Sequence, residues 1–405
     1  MGASIALDTG IVPLGNMEAV QFHPTTLSPS GILVTEGCRG DGGYLLDKNL
    51  ERFMVEREPE KQELASRDVV SRHMAEVMRD GDGVESPYGP HLWLDIRHLG
   101  EEHLRTKLLE VWDICRDFVG INPAEALIPV RPTQHYSMGG IRVNKDGQAY
   151  NMAGLFAVGE AACWDMHGFN RLGGNSLSET IVTGRVVGRR VAEYASGTDL
   201  RSNTGFAFDA LANTEQKAAD WLARSGSGPN VYEIRDAMGE IMMHKVGIFR
   251  NGDELAEAVA DLNQLIDDCD NAVLRCKDPG VNPELAFALR LRGMLRLAMI
   301  VAQGALARTE SRGAHFRTDY PLRNDKEWLN RTLVRWAAAD DGPSFEYEPT
   351  GLIDVPPGYR GYGADERIEM TDTLERHNAG VLEAQTRQGR LPTTEDMGSR
   401  LRGNA

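Results

Sequence analysis

Paired cysteine is missing from this chain of 405 residues. Its five cysteines, Cys38, Cys115, Cys163, Cys269 and Cys276, are scattered, and no CxxC occurs. Zinc ribbons and iron–sulfur clusters need thiolates at such spacings, so the chain brings neither a metal site nor a cluster framework of its own. An odd, sparse count suits a reducing compartment. Long apolar runs are missing too: none approaches the ~18 residues that a membrane span requires. The opening MGASIALDTGIVPLG has no signal-peptide pattern and no twin arginine, which predicts a cytoplasmic chain. Positive charge is in deficit, with 44 Lys and Arg against 60 Asp and Glu, a net charge of −16. Such a chain is a poor non-specific binder of nucleic acid or anionic lipid, so an anionic ligand must be held by a local cationic pocket. The remaining composition, 41% hydrophobic and 26% charged, is that of an ordinary globular chain. Its length predicts two to three domains, or one large domain with insertions.

Residues 1–57 read as short strands and glycine turns, with VQFHPTTL and GILVTEG between Pro and Gly punctuation. Residues 60–83 read as a helix with an apolar stripe of Leu64, Val69, Val70, Met74 and Val77. Residues 91–99 read as a strand or loop, and 101–119 as a second helix. Strand patterning returns over 127–160, where GLFAVGEAA reads as an apolar strand ending in a glycine turn. GNSLSETIVTGRVVGRRVAEYA then reads as a helix capped by Asn175 or Ser176. From about 206 to 310 three segments keep a 3.6-residue period, the mark of a helical bundle. Pro, Gly and aromatic residues increase from about 316, predicting an irregular region with some strand, and 371–405 reads as exposed or disordered.

Five segments concentrate unusual residues: QFHPTT with His23, VTEGCRGDGG with Thr35, Glu36 and Arg39, LASRDVVSR with Arg67, RPTQHYSMGG with His135 and Tyr136, and GEAACWDMHGFNRLGGNSLSE with Glu160, His167, Arg171, Asn175 and Ser176. Each alone has a bland reading. A His before Pro is most often a capped turn, a Gly-rich loop answers a need for positive φ, and an arginine beside an aspartate is most often a surface charge. RLGGNSLSE has a stronger one, a turn feeding a helix N-terminus whose free N–H groups cradle an anion. The combination says more. A small dianion needs two sockets of charge-assisted hydrogen bonds, which His/Thr and His/Arg pairs on separate segments supply. Glu36 and Arg39, three residues apart in a tight loop, suit a proton relay.

In order and at length, NMEAVQFHPT, GILVTEGCRGDGG, ELASRDVVSR, RPTQHYSMGGI, GLFAVGEAACWDMHGFNRLGGNSL and TESRGAHFRTDYPLRND resemble the flavoprotein subunit of the succinate dehydrogenase/quinol:fumarate reductase family, most of all its epsilonproteobacterial-type fumarate reductases. The resemblance runs from Met1 to about Ala364. It implies an α+β and α/β architecture in which a partial, Rossmann-like FAD-binding domain carries an inserted α+β capping domain, followed by a C-terminal helical bundle and an irregular C-terminal region. The expected divisions are 1–20 for a remnant of the FAD-binding domain, 21–130 for the substrate-capping domain, 131–200 for the C-terminal part of the FAD-binding domain, 206–312 for the helical domain and 313–405 for the C-terminal region. One departure is large. The family's dinucleotide-binding GxGxxG, and the His that bonds covalently to the flavin, have no counterpart here. The expectation is a truncated reading frame, a fragment, or a missing half carried on another chain.

The resemblance also implies a mechanism and its residues. FAD passes a hydride from N5 to one alkene carbon of fumarate while Arg67 protonates the other. Glu36 and Arg39 resupply that proton. His23 and Thr35 hold one carboxylate, and His135 and Arg171 hold the other and help to twist it out of conjugation. An arginine acid is reasonable because the carbon it protonates is a nascent carbanion, far more basic than water. His135, Tyr136, Glu160, Arg171, Asn175, Ser176 and Leu177 face the flavin, and His167 has no assigned role. The implied partners are an iron–sulfur subunit and a quinone-binding membrane anchor, with the chain peripheral on the cytoplasmic face of the membrane. Two rival readings stand: an L-aspartate oxidase, which shares the HPT, TEGxRG and RLxxNSL motifs, and a non-catalytic fragment that cannot hold FAD alone.

Overall fold

VQFHPTTL and IPVRPTQHYS lie far apart in sequence yet pair as antiparallel strands, the first at the edge of a four-stranded sheet. The computed structural model describes residues 2–198, 205–337 and 342–350. The first part of the chain forms α1 (Gly2–Asp8), β1 (Leu14–Gly15), β2 (Val20–Leu27), α2 (Gly37–Gly40), β3 (Tyr44–Leu46), α3 (Met54–Arg57) and α4 (Arg67–Arg79). The middle forms β4 (Leu92–Asp95), α5 (Glu101–Lys107), α6 (Leu109–Phe118), β5 (Ile128–Ser137), β6 (Gly140–Arg142), β7 (Ala162–Cys163) and α7 (Asn175–Gly197). Four long helices follow, α8 (Gly205–Ala223), α9 (Val231–Lys245), α10 (Gly252–Asn271) and α11 (Pro283–Ala307), then α12 (Asp325–Trp328), β8 (Asn330–Arg335) and β9 (Ser344–Pro349).

Two sheets organise these elements. The first has the order β7-β6-β1-β8-β9 and the second β2-β5-β4-β3. The chain crosses from one to the other at Asn16–Ala19 and returns at Met138–Gly140. A Cβ on Gly140 would lie 2.7 Å from the Ala161 carbonyl oxygen, and one on Gly139 would strike that of Asn16, so only glycine lets these backbones meet. The second sheet packs on α4 and α6 through Val70, Met74, Val77, Leu92, Leu94, Val111, Ile128 and Val130. Pro24 has no N–H for the ladder, and the β2/β5 register shifts between His23 and Thr26. That irregularity falls where His23 leaves the strand. In the helical part, α9, α10 and α11 begin at Asn230, Asn251 and Asn282, whose side chains accept first-turn N–H groups.

Several expectations need correction. Leu64 is 64% exposed in a short turn and α4 starts only at Arg67, because Ser66 is extended. The helix expected over 101–119 breaks at Leu108, whose φ and ψ are non-helical. GLFAVG is no strand: Phe156 makes a single bridge to Gln148, and the strand here is Ala162–Cys163. Neither Asn175 nor Ser176 caps α7; Gly174 does, at φ +77°, a left-handed conformation suited to glycine. β5 pairs with β2 as far as Ser137. β8 and β9 join the sheet of β1, so residues 330–349 are not a separate region. The expectation for 371–405 lies outside the described residues.

A buried ionic cluster ties these parts together. Arg308, just after α11, donates from Nε to Glu18 at 2.9 Å and from Nη1 to Glu310 at 3.0 Å, and all three side chains are fully buried. Glu18 lies in the crossing between the sheets and also accepts from Thr332 of β8 at 2.7 Å. Arg250 donates to the Glu18 carbonyl at 2.9 Å and meets His315 at 2.7 Å. Replacing Arg308 with Met would leave the buried Glu18 carboxylate without its guanidinium partner, whereas Glu310 keeps Arg312 at 2.7 Å. We expect a loss of about 3–5 kcal/mol of stability, measured by denaturant unfolding.

Candidate active site

Five segments converge at the face where the β2-β5-β4-β3 sheet meets the loop between β7 and α7. The kink in β2 presents His23, the one-turn helix α2 presents Arg39 and Glu36 at its start, and Arg67 is the first residue of α4. His135 and Tyr136 come from the end of β5. Arg171 follows Phe169, which is buried beside Tyr136 and Met138.

Glu36 and Arg67 form the closest pair, with Nε and Nη2 both 2.6 Å from one carboxylate oxygen. Arg171 donates from Nη2 to His135 Nε2 at 2.8 Å and from Nη1 to the Leu172 carbonyl at 3.1 Å. Its guanidinium also lies over the Tyr136 ring, 4.5 Å from the centroid. His23 and His135 meet edge to face with centroids 5.0 Å apart. Arg39 is buried behind them, held by the Glu63 carbonyl, and its charge is felt at His23.

The cluster holds more positive charge than it can balance. Burial, then the Arg67 charge, pushes His23 down to about 2 and His135 to about 4, so both rings are neutral at pH 7. Burial also lowers Arg171, as does Arg67 beside it. His135 accepts from Arg171 at Nε2, which puts its proton on Nδ1. Nδ1 of His23 lies 3.2 Å from both the amide nitrogen and the carbonyl oxygen of Thr25, while its Nε2 points away from them. That Nε2, Arg171 Nε, and Nε and Nη2 of Arg39 are buried with no hydrogen-bond partner. Unpaired buried donors around one carboxylate favour an anionic ligand. The histidines contribute as neutral rings, not as the charged partners that two cationic sockets would suggest.

The other predicted residues sit around this cluster. The Thr35 hydroxyl accepts the Gly37 N–H at 3.2 Å. Glu160 accepts the Ser137 N–H at 2.9 Å and its carboxylate acts electrostatically on Arg171. Tyr136 donates its hydroxyl to Glu179 at 2.8 Å, and His167 contacts the same carboxylate at 2.7 Å. Tyr136 is therefore anchored into α7 and offers the site only its ring. Asn175 and Leu177 open α7 at an exposed surface, with Ser176 half-buried between them. A Cβ on Gly173 would lie 3.2 Å from Glu36 Oε2, so the backbone of this turn runs directly against the ion pair. Sequence reasoning missed Gln21, Asp68, Asn170 and Glu179. Gln21 had a signal: it is two residues before His23 on a strand and so shares its face. The cavity of about 310 Å³ lined by Asn16, Asp165, Phe169, Arg312 and Trp328 contains none of the converging residues. The cluster is an open face.

Comparisons with known proteins place the chain in a family. Residues 1–177 match the family described as an FAD binding domain, and residues 235–362 that described as fumarate reductase flavoprotein C-term. The chain is 46% identical to the fumarate reductase flavoprotein subunit of Helicobacter pylori over 94% of its own length and 57% of the relative's. It is 37% identical to the succinate dehydrogenase flavoprotein subunit of Rickettsia bellii, covering 89% of this chain and 62% of that one. A variant Escherichia coli quinol fumarate reductase flavoprotein superposes with a TM-score of 0.82 at 36% identity, over 90% of this chain and 64% of that one. The chain thus spans about three-fifths of these relatives.

The depressed histidines have a measurable consequence. An unfolded His135 protonates near 6.5 and the folded one near 4, so its contribution is present above about pH 6.5 and is lost as the pH falls toward 4. Unfolding midpoints measured between pH 7 and 4 should fall less steeply for His135→Asn than for the parent chain.

Proposed function

The chain belongs to the family of fumarate reductase and succinate dehydrogenase flavoprotein subunits, and we propose that its convergent cluster binds a four-carbon dicarboxylate and interconverts fumarate and succinate. The observation that carries this reading is the set of unpartnered buried guanidinium donors on Arg39 and Arg171, with the unpartnered His23 Nε2, beside the Glu36–Arg67 pair. Two carboxylates would satisfy those donors, His23 and Thr35 at one end and His135 and Arg171 at the other. Held at both ends, a planar alkene diacid is easily twisted, and binding of the two carboxylates offsets the strain.

The residues present fit the isoalloxazine end of FAD. The α7 start offers backbone N–H groups at an exposed turn, Gly173 and Gly174 leave its surface free of side chains, and Glu160 and the Arg171 cluster lie beside it. FAD, when bound and reduced by an electron donor, would supply the hydride for one alkene carbon. Arg67 then delivers a proton to the neighbouring carbon, and Glu36, already bonded to it, returns one from Arg39 and solvent. The protonated carbon carries developing negative charge, so transfer is concerted and neutral arginine never accumulates. His135 stays neutral and orients Arg171 instead of titrating. For the nucleotide half of FAD the chain has no GxGxxG cradle. The apolar side chains Leu177, Ile181, Val182, Val186 and Val191 on α7 are all exposed, and we assign that face to a further polypeptide segment that completes the FAD domain.

No helix among the described residues is long and apolar enough to cross a membrane. In the proposed assembly the chain is peripheral on the cytoplasmic side of the membrane, and electrons reach it through an iron–sulfur subunit docked on a quinone-binding anchor. Succinate-dependent dye reduction by the flavin-loaded protein, without aspartate-dependent peroxide, supports this reading; the reverse pattern replaces it with the oxidase. Arg67→Lys keeps the charge but loses the guanidinium fork and its bond to Glu36. Its turnover should fall by at least ~10²-fold, the contribution of a general acid, and near-parent turnover removes Arg67 from that role.

A further inference from the structure

Three polar side chains that make no direct contribution to the mechanism join the two walls of the site. Gln21 is on β2 and Asp68 on α4, which packs on the sheet of β2, whereas Asn170 lies in the loop after β7. Gln21 Nε2 donates to Asn170 Oδ1 at 2.7 Å and to the Arg171 carbonyl at 2.7 Å. Asn170 Nδ2 donates to Asp68 Oδ1 at 2.9 Å. Gln21 Oε1 closes the circuit by accepting from Arg67 Nη1 at 3.3 Å. Asp68 follows Arg67 in sequence and Asn170 precedes Arg171, so the amide of Asn170 bridges the residues beside the two arginines. Gln21 and Asp68 are buried, where a hydrogen bond to a carboxylate is of the stronger kind. Chemistry selects asparagine here. Its carbonyl meets an N–H donor and its NH2 meets a carboxylate, and neither aspartate nor leucine offers both.

We propose that Asn170 is a positioning residue, a latch that locks the helix carrying Arg67 to the loop carrying Arg171 and sets the spacing of the two guanidiniums before the dicarboxylate arrives. The latch rests on the function proposed above. It acts by holding the binding-competent arrangement populated, so its loss lowers apparent affinity by the fraction no longer competent.

The test compares Asn170→Asp and Asn170→Leu with the exchange pair Asp68→Asn plus Asn170→Asp. In the exchange pair the amide at position 68 donates to the carboxylate at position 170, which still accepts from Gln21, so the bridge is rebuilt with its polarity reversed. Hydrogen–deuterium exchange on the full chain reads residues 67–71 and 165–174. Calorimetry on the flavin-loaded protein reads fumarate affinity. Each single variant should raise exchange in both segments and weaken fumarate binding by roughly tenfold, the scale of one charged hydrogen bond. The loss should fall on KM more than on kcat, and the exchange pair should restore both readouts. A merely structural role does not predict that rescue. Single variants that match the parent in exchange, or an exchange pair as loose as Asn170→Asp, overturn the latch. A parent protein that holds flavin but binds no fumarate overturns the proposed function instead, while the exchange measurement still decides the latch.

Discussion

Uncompensated positive charge is the constraint on which this structure turns. Arg39, Arg67 and Arg171 converge on one face with a single close carboxylate, Glu36. Water is kept from His23 and from three guanidinium nitrogens that have nothing to bond. Leaving such donors unsatisfied costs free energy that the rest of the fold must offset. Under the proposed function a bound dianion would relieve that cost, and a local cationic cluster would let an acidic chain hold an acidic ligand. Overall charge governs encounter, whereas pocket charge governs binding.

Holding like charges together takes rigid walls, and they come from two directions. One wall is the β2-β5-β4-β3 sheet with α4; the other is the loop that leads from β7 into α7. They share a floor where the chain crosses between its sheets at Asn16–Ala19 and Met138–Gly140. The buried cluster of Glu18, Arg308 and Glu310 fastens that crossing to α11 and β8. Arg308 further stacks on Phe169, its carbon 4.6 Å from the ring centroid, two residues before Arg171. The loop that carries Arg171 thus rests on the same ionic foundation as the sheets. Ala314 donates its N–H to the Phe169 carbonyl at 2.8 Å and reinforces that link.

Much of the site was legible in the residues themselves. His23, Glu36, Arg39, Arg67, His135 and Arg171 stand in short segments of unusual composition, and each was singled out before any contact was known. Glycines 139 and 140 let two backbones meet where the chain crosses between its sheets, a role visible only in the fold. Less legible were the groups whose role depends on their neighbours. Asn170 and Asp68 are ordinary loop and helix-start residues until the fold sets them 2.9 Å apart. Leu64 fits a helical stripe by spacing but is exposed, because Ser66 starts the helix later than periodicity suggests. GLFAVG carries the apolar run of a strand, yet Phe156 makes only one isolated bridge.

By itself the sequence determined the chemical inventory: scattered cysteines that cannot frame a cluster, a helical second half set by its period, and the motifs that bring arginine and histidine to strand ends and helix starts. Those properties are local, because they depend on residue type and on neighbours a few positions away. Only the tertiary structure decided which charges share a dielectric environment. The neutrality of His23 and His135, the pairing of Arg67 with Glu36 and the bridge through Asn170 all arise between segments far apart in the chain. Electrostatic and hydrogen-bond energies fall steeply with distance through space and are indifferent to separation along the sequence.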